Sequence, residues 1–186
     1  MGAPYQTHLE LKTPETAEGD AAKGLKTAQQ ALGFVPNMYA AMANAPGVLT
    51  TYMHGYDYLR QQSQFNPQEQ EVVFLTISVA NGCDYCRAAH GTIADKMSQV
   101  PTEVTDAILA GKPAPHDKPG ALQAFTQTMF DTRGKPEKAD VESFKAAGYS
   151  EEHVMEVILA LAVKTLSNYT NHIFHTPVDE AFQGRS

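Results

Sequence analysis

Cysteine is scarce in this chain, charge of one sign never gathers into a run, and apolar runs are short. Only Cys83 and Cys86 occur among 186 residues. That excludes a disulfide-stapled scaffold, because bridging such near neighbours closes a tiny loop and constrains little of the unfolded chain. Fourteen Lys and Arg stand against twenty-one Asp and Glu, a formal charge of −7. The basic face that phosphate binding requires is missing, so nucleic acid is not an expected partner. No segment approaches the roughly 18 uninterrupted apolar residues of a membrane helix, so no membrane partner is expected either. The opening MGAPYQTHLELKTPETAEGD carries neither a basic leader nor an apolar core segment, which predicts a cytoplasmic location. Sustained period-two alternation is absent too, leaving a sheet without its signature.

What is present is helical punctuation. With 42% hydrophobic residues the chain can bury a sizeable core. Residues 1–15 have no usable period and read as an N-terminal arm, with Tyr5, Leu9 and Leu11 free to dock on a neighbour. Residues 16–186 read as one all-α domain. Helices are predicted from Thr16 to Leu32, Pro36 to Asn44, Pro46 to Gln62, and then from the strong start Asn66-Pro67-Gln68-Glu69 to Asn81. That start combines an Asn N-cap, Pro in the first turn and Glu in capping-box spacing. The helix it opens is nearly apolar after Glu71 and should be the buried centre of the fold. A cysteine helix to about Val100 follows, then helices over Pro101–Ala110, Pro119–Arg133, Pro136–Ala147 and Ser150–His175.

Between Glu71 and His90 runs EVVFLTISVANGCDYCRAAH. If the segment after Gly82 is helical, Cys83, Cys86 and His90 share one face. Thiols attack as thiolates, and a helix N-terminus beside Gly82 favours that charge. His90 is placed to take a proton from Cys86. Glu71 can orient or balance His90 directly, through Tyr85, or through water. If a hydroperoxide oxidises one sulfur to a sulfenic acid, its neighbour can condense with it to a disulfide, which an external dithiol can reopen.

Together GFVPN, the acid twelve residues before a C-x-Y-C pair, and a His four residues after it resemble the AhpD-like alkylhydroperoxidases, in the peroxidase-related branch of the carboxymuconolactone decarboxylase superfamily. The resemblance spans about Gly33 to Phe182. It implies an AhpD-like helical bundle, a homo-oligomer and thiol-dependent reduction of a hydroperoxide substrate, with a dithiol or lipoyl-type protein as reductant and no cofactor or metal. By matching position it implies Cys86 as the peroxidatic thiol, Cys83 as the resolving one, and Glu71 and His90 in the proton relay. Tyr85 departs from the family pattern, in which the best-known members carry histidine between the cysteines. A decarboxylase- or isomerase-type enzyme of the same superfamily and a non-catalytic redox-sensing module are the alternative functions.

Blander roles compete at several positions. The thiols could be inert or half of a zinc site, but zinc needs about four ligands and only His90 is near, with His172 or His175 remote. Glu71 could simply pair with Arg60 or Arg87. His172 and His175 suit hydrogen bonding at the end of a long helix. His54 suits an interhelical or interface bond, and the Met and Tyr stripes suit packing. A weak internal echo adds a hypothesis. PGVLTTYMHGYDYLR and PGALQAFTQTMFDTR align at an offset of 73, and Glu71/Glu156 and His90/His175 align at 85. A duplicated helical unit would leave this pattern, with Asn168 and Asn171 where the first copy has Cys83 and Cys86.

Overall fold

The computed structural model describes residues 2–185. Met1 of the expected arm and Ser186 at the end of the expected domain lie outside the described residues. Among those described there are no strands, and nine α-helices follow one another: α1 (Gly19–Leu32), α2 (Asn37–Met42), α3 (Pro46–Gln61), α4 (Pro67–Ala80), α5 (Asp84–Lys96), α6 (Thr102–Leu109), α7 (Asp117–Asp131), α8 (Lys138–Ala146) and α9 (Glu151–Phe174). A 3₁₀ turn, Glu180–Arg185, closes the described chain.

Local chemistry sets the boundaries. Asn66 accepts from the backbone N–H groups of Gln68 and Glu69, while the Glu69 carboxylate accepts from the Asn66 N–H, so α4 begins on the expected reciprocal cap. Gly82, at φ +64°, breaks the chain between α4 and α5. The cysteine helix stops at Lys96, short of Val100, because Gln99 turns into the left-handed region at φ 54°.

Nine consecutive residues of α4, Gln70 to Ser78, are buried, so the helix has no solvent face. It is surrounded by α3, α5, α6, α7 and α9. The buried hydroxyls of Thr76 and Ser78 satisfy themselves on the carbonyls of Val72 and Phe74 one turn back. α3 lies against α9 at Gly55, where an added Cβ would meet Val163 Cγ2 at 2.7 Å. A second centre of packing is the ring stack of Phe125, Phe144 and Tyr149, with centroids 4.1 and 4.4 Å apart.

The described part of the arm, residues 2–15, has no helix, yet it is tied down: Thr7 N–H donates to the Ile173 carbonyl and Lys12 N–H to that of Ala40. The C-terminal turn packs on α5, with Phe182 edge-on to Tyr85 and Phe34 and its carbonyl accepting from Thr92 Oγ1. The first echoing proline-glycine stretch lies in α3 and the second in α7 as far as Asp131. α9, however, runs unbroken through Ser167, the position answering to Gly82. Any second copy has therefore lost the helix break along with the thiols.

Candidate active site

Cys83 is the N-cap residue of α5 and Cys86 lies in its first turn, with His90 one turn further on. All three are buried, as is Glu71 on the facing helix α4. Both cysteines are free thiols. Asn171 of α9 reaches both sulfurs: its Nδ2 donates to Cys86 Sγ at 3.3 Å and lies 3.7 Å from Cys83 Sγ. One of the two residues expected from the echo as a thiol-free replacement, Asn171, thus packs directly on the thiols. Asn168, its partner in the echo, accepts from Asn81 Nδ2 at 2.8 Å.

Glu71 is fully enclosed and engaged on both oxygens. Oε2 is 2.9 Å from His90 Nδ1, and Oε1 forms an ion pair with Arg60 Nη1 at 2.5 Å. Glu71 and His90 meet directly, with neither Tyr85 nor water between them, and the pairing of Glu71 with Arg60 coexists with that contact. Arg60 also donates to Tyr56 OH at 2.6 Å and to Gln70 Oε1 at 3.1 Å. Burial alone would raise the Glu71 acid, but His90 and Arg60 outweigh it and hold the carboxyl below its usual range. Burial, with the Lys164 ammonium, lowers His90 against the pull of Glu71. A neutral imidazole results, its Nδ1–H donated to the carboxylate and Nε2 left as the basic atom.

The two thiols are pushed apart in acidity. Cys83 is raised well above an ordinary thiol, first by its hydrogen bond to Cys86 and then by burial. Cys86 is burdened by its own burial, but the bond from Cys83, the Lys164 charge, the adjoining His90 ring and the bond to Ser167 bring it well below the ordinary range. Two identical side chains three residues apart therefore play different parts, one a proton donor and one the favoured thiolate.

Tyr85 directs its hydroxyl elsewhere, donating to Asp179 Oδ2 at 2.5 Å. Asp179 in turn accepts from the Asn37 N–H, joining the start of α2 to the C-terminal segment. Burial and then the Asp179 bond push the phenol above its usual range. Arg87 pairs loosely with Asp84 and donates to the Leu109 carbonyl. His54 is exposed on α3, His172 is exposed beside Tyr169, and His175 supplies the left-handed cap of α9. Among the described residues no group of three His, Cys, Asp or Glu is arranged to hold a metal ion, and no helix is long and apolar enough to cross a membrane.

Two site residues escaped the sequence reading. Lys164, set within the apolar run ILALAVKTL, forms a buried polar strip on α9 at helical spacing with Ser167, Asn168 and Asn171 beyond that run. A charge alone in such a run was the available signal.

Residues 46–130 match the carboxymuconolactone decarboxylase family. No curated protein matches the chain. Among solved structures it is similar to the alkylhydroperoxidase AhpD core of a peroxidase-related protein from Ralstonia eutropha JMP134, at 21% identity over 97% of this chain and 96% of that one, with a TM-score of 0.84. A peroxidase-related protein from Silicibacter sp. TM1040 superposes at 0.80 with 21% identity, covering 99% and 96%. A cysteine-to-alanine variant of the debrominase Bmp8, in complex with 2,3,4-tribromopyrrole, superposes at 0.78 with 17% identity, covering 98% and 97%. The shared architecture is the AhpD-like helical fold.

Proposed function

We propose that this chain, an AhpD-like member of the carboxymuconolactone decarboxylase superfamily, is a thiol-dependent hydroperoxide reductase that works in the cytoplasm as a homo-oligomer. The observation that carries the reading is a pair of free thiols sharing one amide donor, with Cys86 the favoured thiolate and Cys83 the proton holder, close to His90 held by the Glu71 carboxylate. The Cys86 thiolate attacks the outer peroxide oxygen. The O–O bond breaks, and the leaving alkoxide takes a proton from solvent, equivalent to the one Cys86 gave up on becoming a thiolate, and departs as an alcohol. Cys86 becomes a sulfenic acid. Cys83 then attacks the Cys86 sulfur, the S–O bond breaks, water leaves and a disulfide joins the two. Neutral His90, held by Glu71, accepts the Cys83 proton at Nε2 and returns it to the departing oxygen. A dithiol or lipoyl-type protein restores both thiols and supplies the two electrons.

Both sulfurs are enclosed in the single chain, so peroxide and reductant reach them through a local opening. A stripe of exposed apolar residues on α9, including Met155, Ile158, Tyr169 and Ile173, supports assembly with further copies.

Titration of free thiols before and after one equivalent of organic hydroperoxide tests the reading. Loss of two thiols, recovery with a dithiol, and sustained peroxide turnover are expected. Loss without turnover favours a redox sensor. No loss, with activity on a small organic acid surviving replacement of both cysteines by serine, favours the decarboxylase- or isomerase-type alternative. The likeness to a debrominase supports one second reading: the same pair reduces a carbon–halogen bond. Halide release from a brominated pyrrole, with none of the peroxide turnover, would select it.

A further inference from the structure

Lys164 lies in the middle of α9, fully enclosed, and its Nζ has no hydrogen-bond partner among the described residues. The ammonium stands 5.8 Å over the Phe74 ring, whose centroid is 4.9 Å from that of His90. One face of α9 thus carries the cation and, two turns later, the Asn171 amide that touches both sulfurs. An enclosed charge is strongly disfavoured unless a negative group lies nearby to compensate it.

The groups facing it can be taken in turn. From α4, the Glu71 carboxylate is already matched by Arg60 of α3 and bonded to His90. Also from α3, Tyr56 holds its hydroxyl on Arg60, and Tyr52 stacks on Tyr56; burial keeps both phenols neutral. From α2, Tyr39 is neutral for the same reason. From α7, the buried residues are Leu122, Phe125, Thr126 and Met129, none titratable. On α9 itself Ser167, Asn168 and Asn171 are uncharged. From α5, His90 is neutral and Cys83 holds its proton. The sulfur of Cys86 is what is left, and its acidity is lowered by Lys164 among other causes.

We propose that Lys164 is the counter-ion that holds Cys86 as a thiolate, a positioning residue whose charge is balanced, among the described residues, by that sulfur. The two charges form one buried pair, alongside the separate Arg60–Glu71 pair. Reactivity of the nucleophile is then set by α9 as well as by the N-terminus of α5. The inference rests on Cys86 being the reactive thiol of the proposed reductase, and it makes a separate claim about that thiol's charge.

The test is a pH titration of ultraviolet thiolate absorbance on the reduced full-length protein, in a Cys83→Ser background that isolates Cys86. With Lys164 present, the thiolate is expected at neutral pH, with a midpoint well below that of an ordinary thiol. Lys164→Met should raise the midpoint so that the thiolate-to-thiol ratio at a given pH falls at least roughly tenfold. Lys164→Arg, which keeps the charge, should retain most of the thiolate. A folded Lys164→Met protein with an unmoved midpoint overturns the proposal. If that variant does not fold, the parent titration still decides, because a midpoint at or above the ordinary thiol range overturns it equally. Peroxide turnover is measured in parallel on the wild-type chain. Its absence together with a shifted midpoint refutes the reductase reading and leaves the counter-ion standing, whereas turnover with an unmoved midpoint does the reverse.

Discussion

Glu71→Gln changes one oxygen into an NH₂ group and should disturb both ends of the relay. The carboxylate has Arg60 on one oxygen at 2.5 Å and His90 Nδ1 on the other at 2.9 Å. A neutral amide must choose. With its NH₂ toward Arg60, two donors face each other and a largely buried guanidinium loses its counter-charge. With its NH₂ toward His90, the imidazole must accept at Nδ1 and carry its proton on Nε2, which removes the lone pair that would take a proton from a thiol. Removing one partner of a buried ion pair costs about 3–5 kcal/mol. Arg60 is 18% exposed and keeps its bonds to Tyr56 and Gln70, which places the cost near the lower figure. Three kcal/mol corresponds to roughly 6–12 °C in Tm for a chain of this size. Thermal and urea unfolding followed by circular dichroism measure it, and peroxide consumption measured below the new Tm should also fall at least roughly tenfold. A variant within about 0.5 kcal/mol of wild type, with unchanged turnover, would refute the idea that the Arg60–Glu71–His90 chain organises the site.

Gly55→Ala places a Cβ 2.7 Å from Val163 Cγ2; overpacking should outweigh the gain of about 1 kcal/mol in helix propensity and leave a net loss of about 1–2 kcal/mol, relieved in the double variant with Val163→Ala. Acid should weaken the fold in two overlapping stages read by urea titration. The native His90 is lowered, so below about pH 6.5 the unfolded chain binds a proton that the native one refuses; the native Glu71 is lowered too, so its contribution is complete above about pH 4.3 and disappears as pH falls through the native value. Ile158→Asp or Tyr169→Asp, both on the exposed face of α9, should dissociate the assembly in sedimentation velocity without loss of helicity; an unchanged sedimentation coefficient would rule that face out as the contact.

The parts of this protein that were legible in its sequence are those specified by near neighbours. Asn66, Pro67 and Glu69 announce α4 because a cap needs only residues within one turn. Gly82 announces the break because its left-handed backbone suits glycine. Glu71, Cys83, Cys86 and His90 lie on two successive helices joined at that glycine, so a spacing argument could bring them together. Arg60, Lys164, Asn171 and Asp179 enter from other helices or from the C-terminal segment, through contacts that span up to 94 residues. No local period encodes such meetings. Tyr85 shows the difference most clearly: its place between the cysteines suggested a part in the relay, while its hydroxyl is committed to Asp179. The C-terminal 3₁₀ turn was equally invisible, since six residues around Phe182 acquire their shape by packing on α5.

The central claim is that Cys86 attacks peroxide and Cys83 resolves the product. Peroxide consumption by Cys86→Ser supplied with a dithiol reductant and by Cys83→Ser given peroxide alone, each followed by intact-protein mass spectrometry, tests it most directly. The account predicts no consumption by Cys86→Ser, and a single turnover by Cys83→Ser that leaves one added oxygen on Cys86. Full turnover by Cys86→Ser would contradict it.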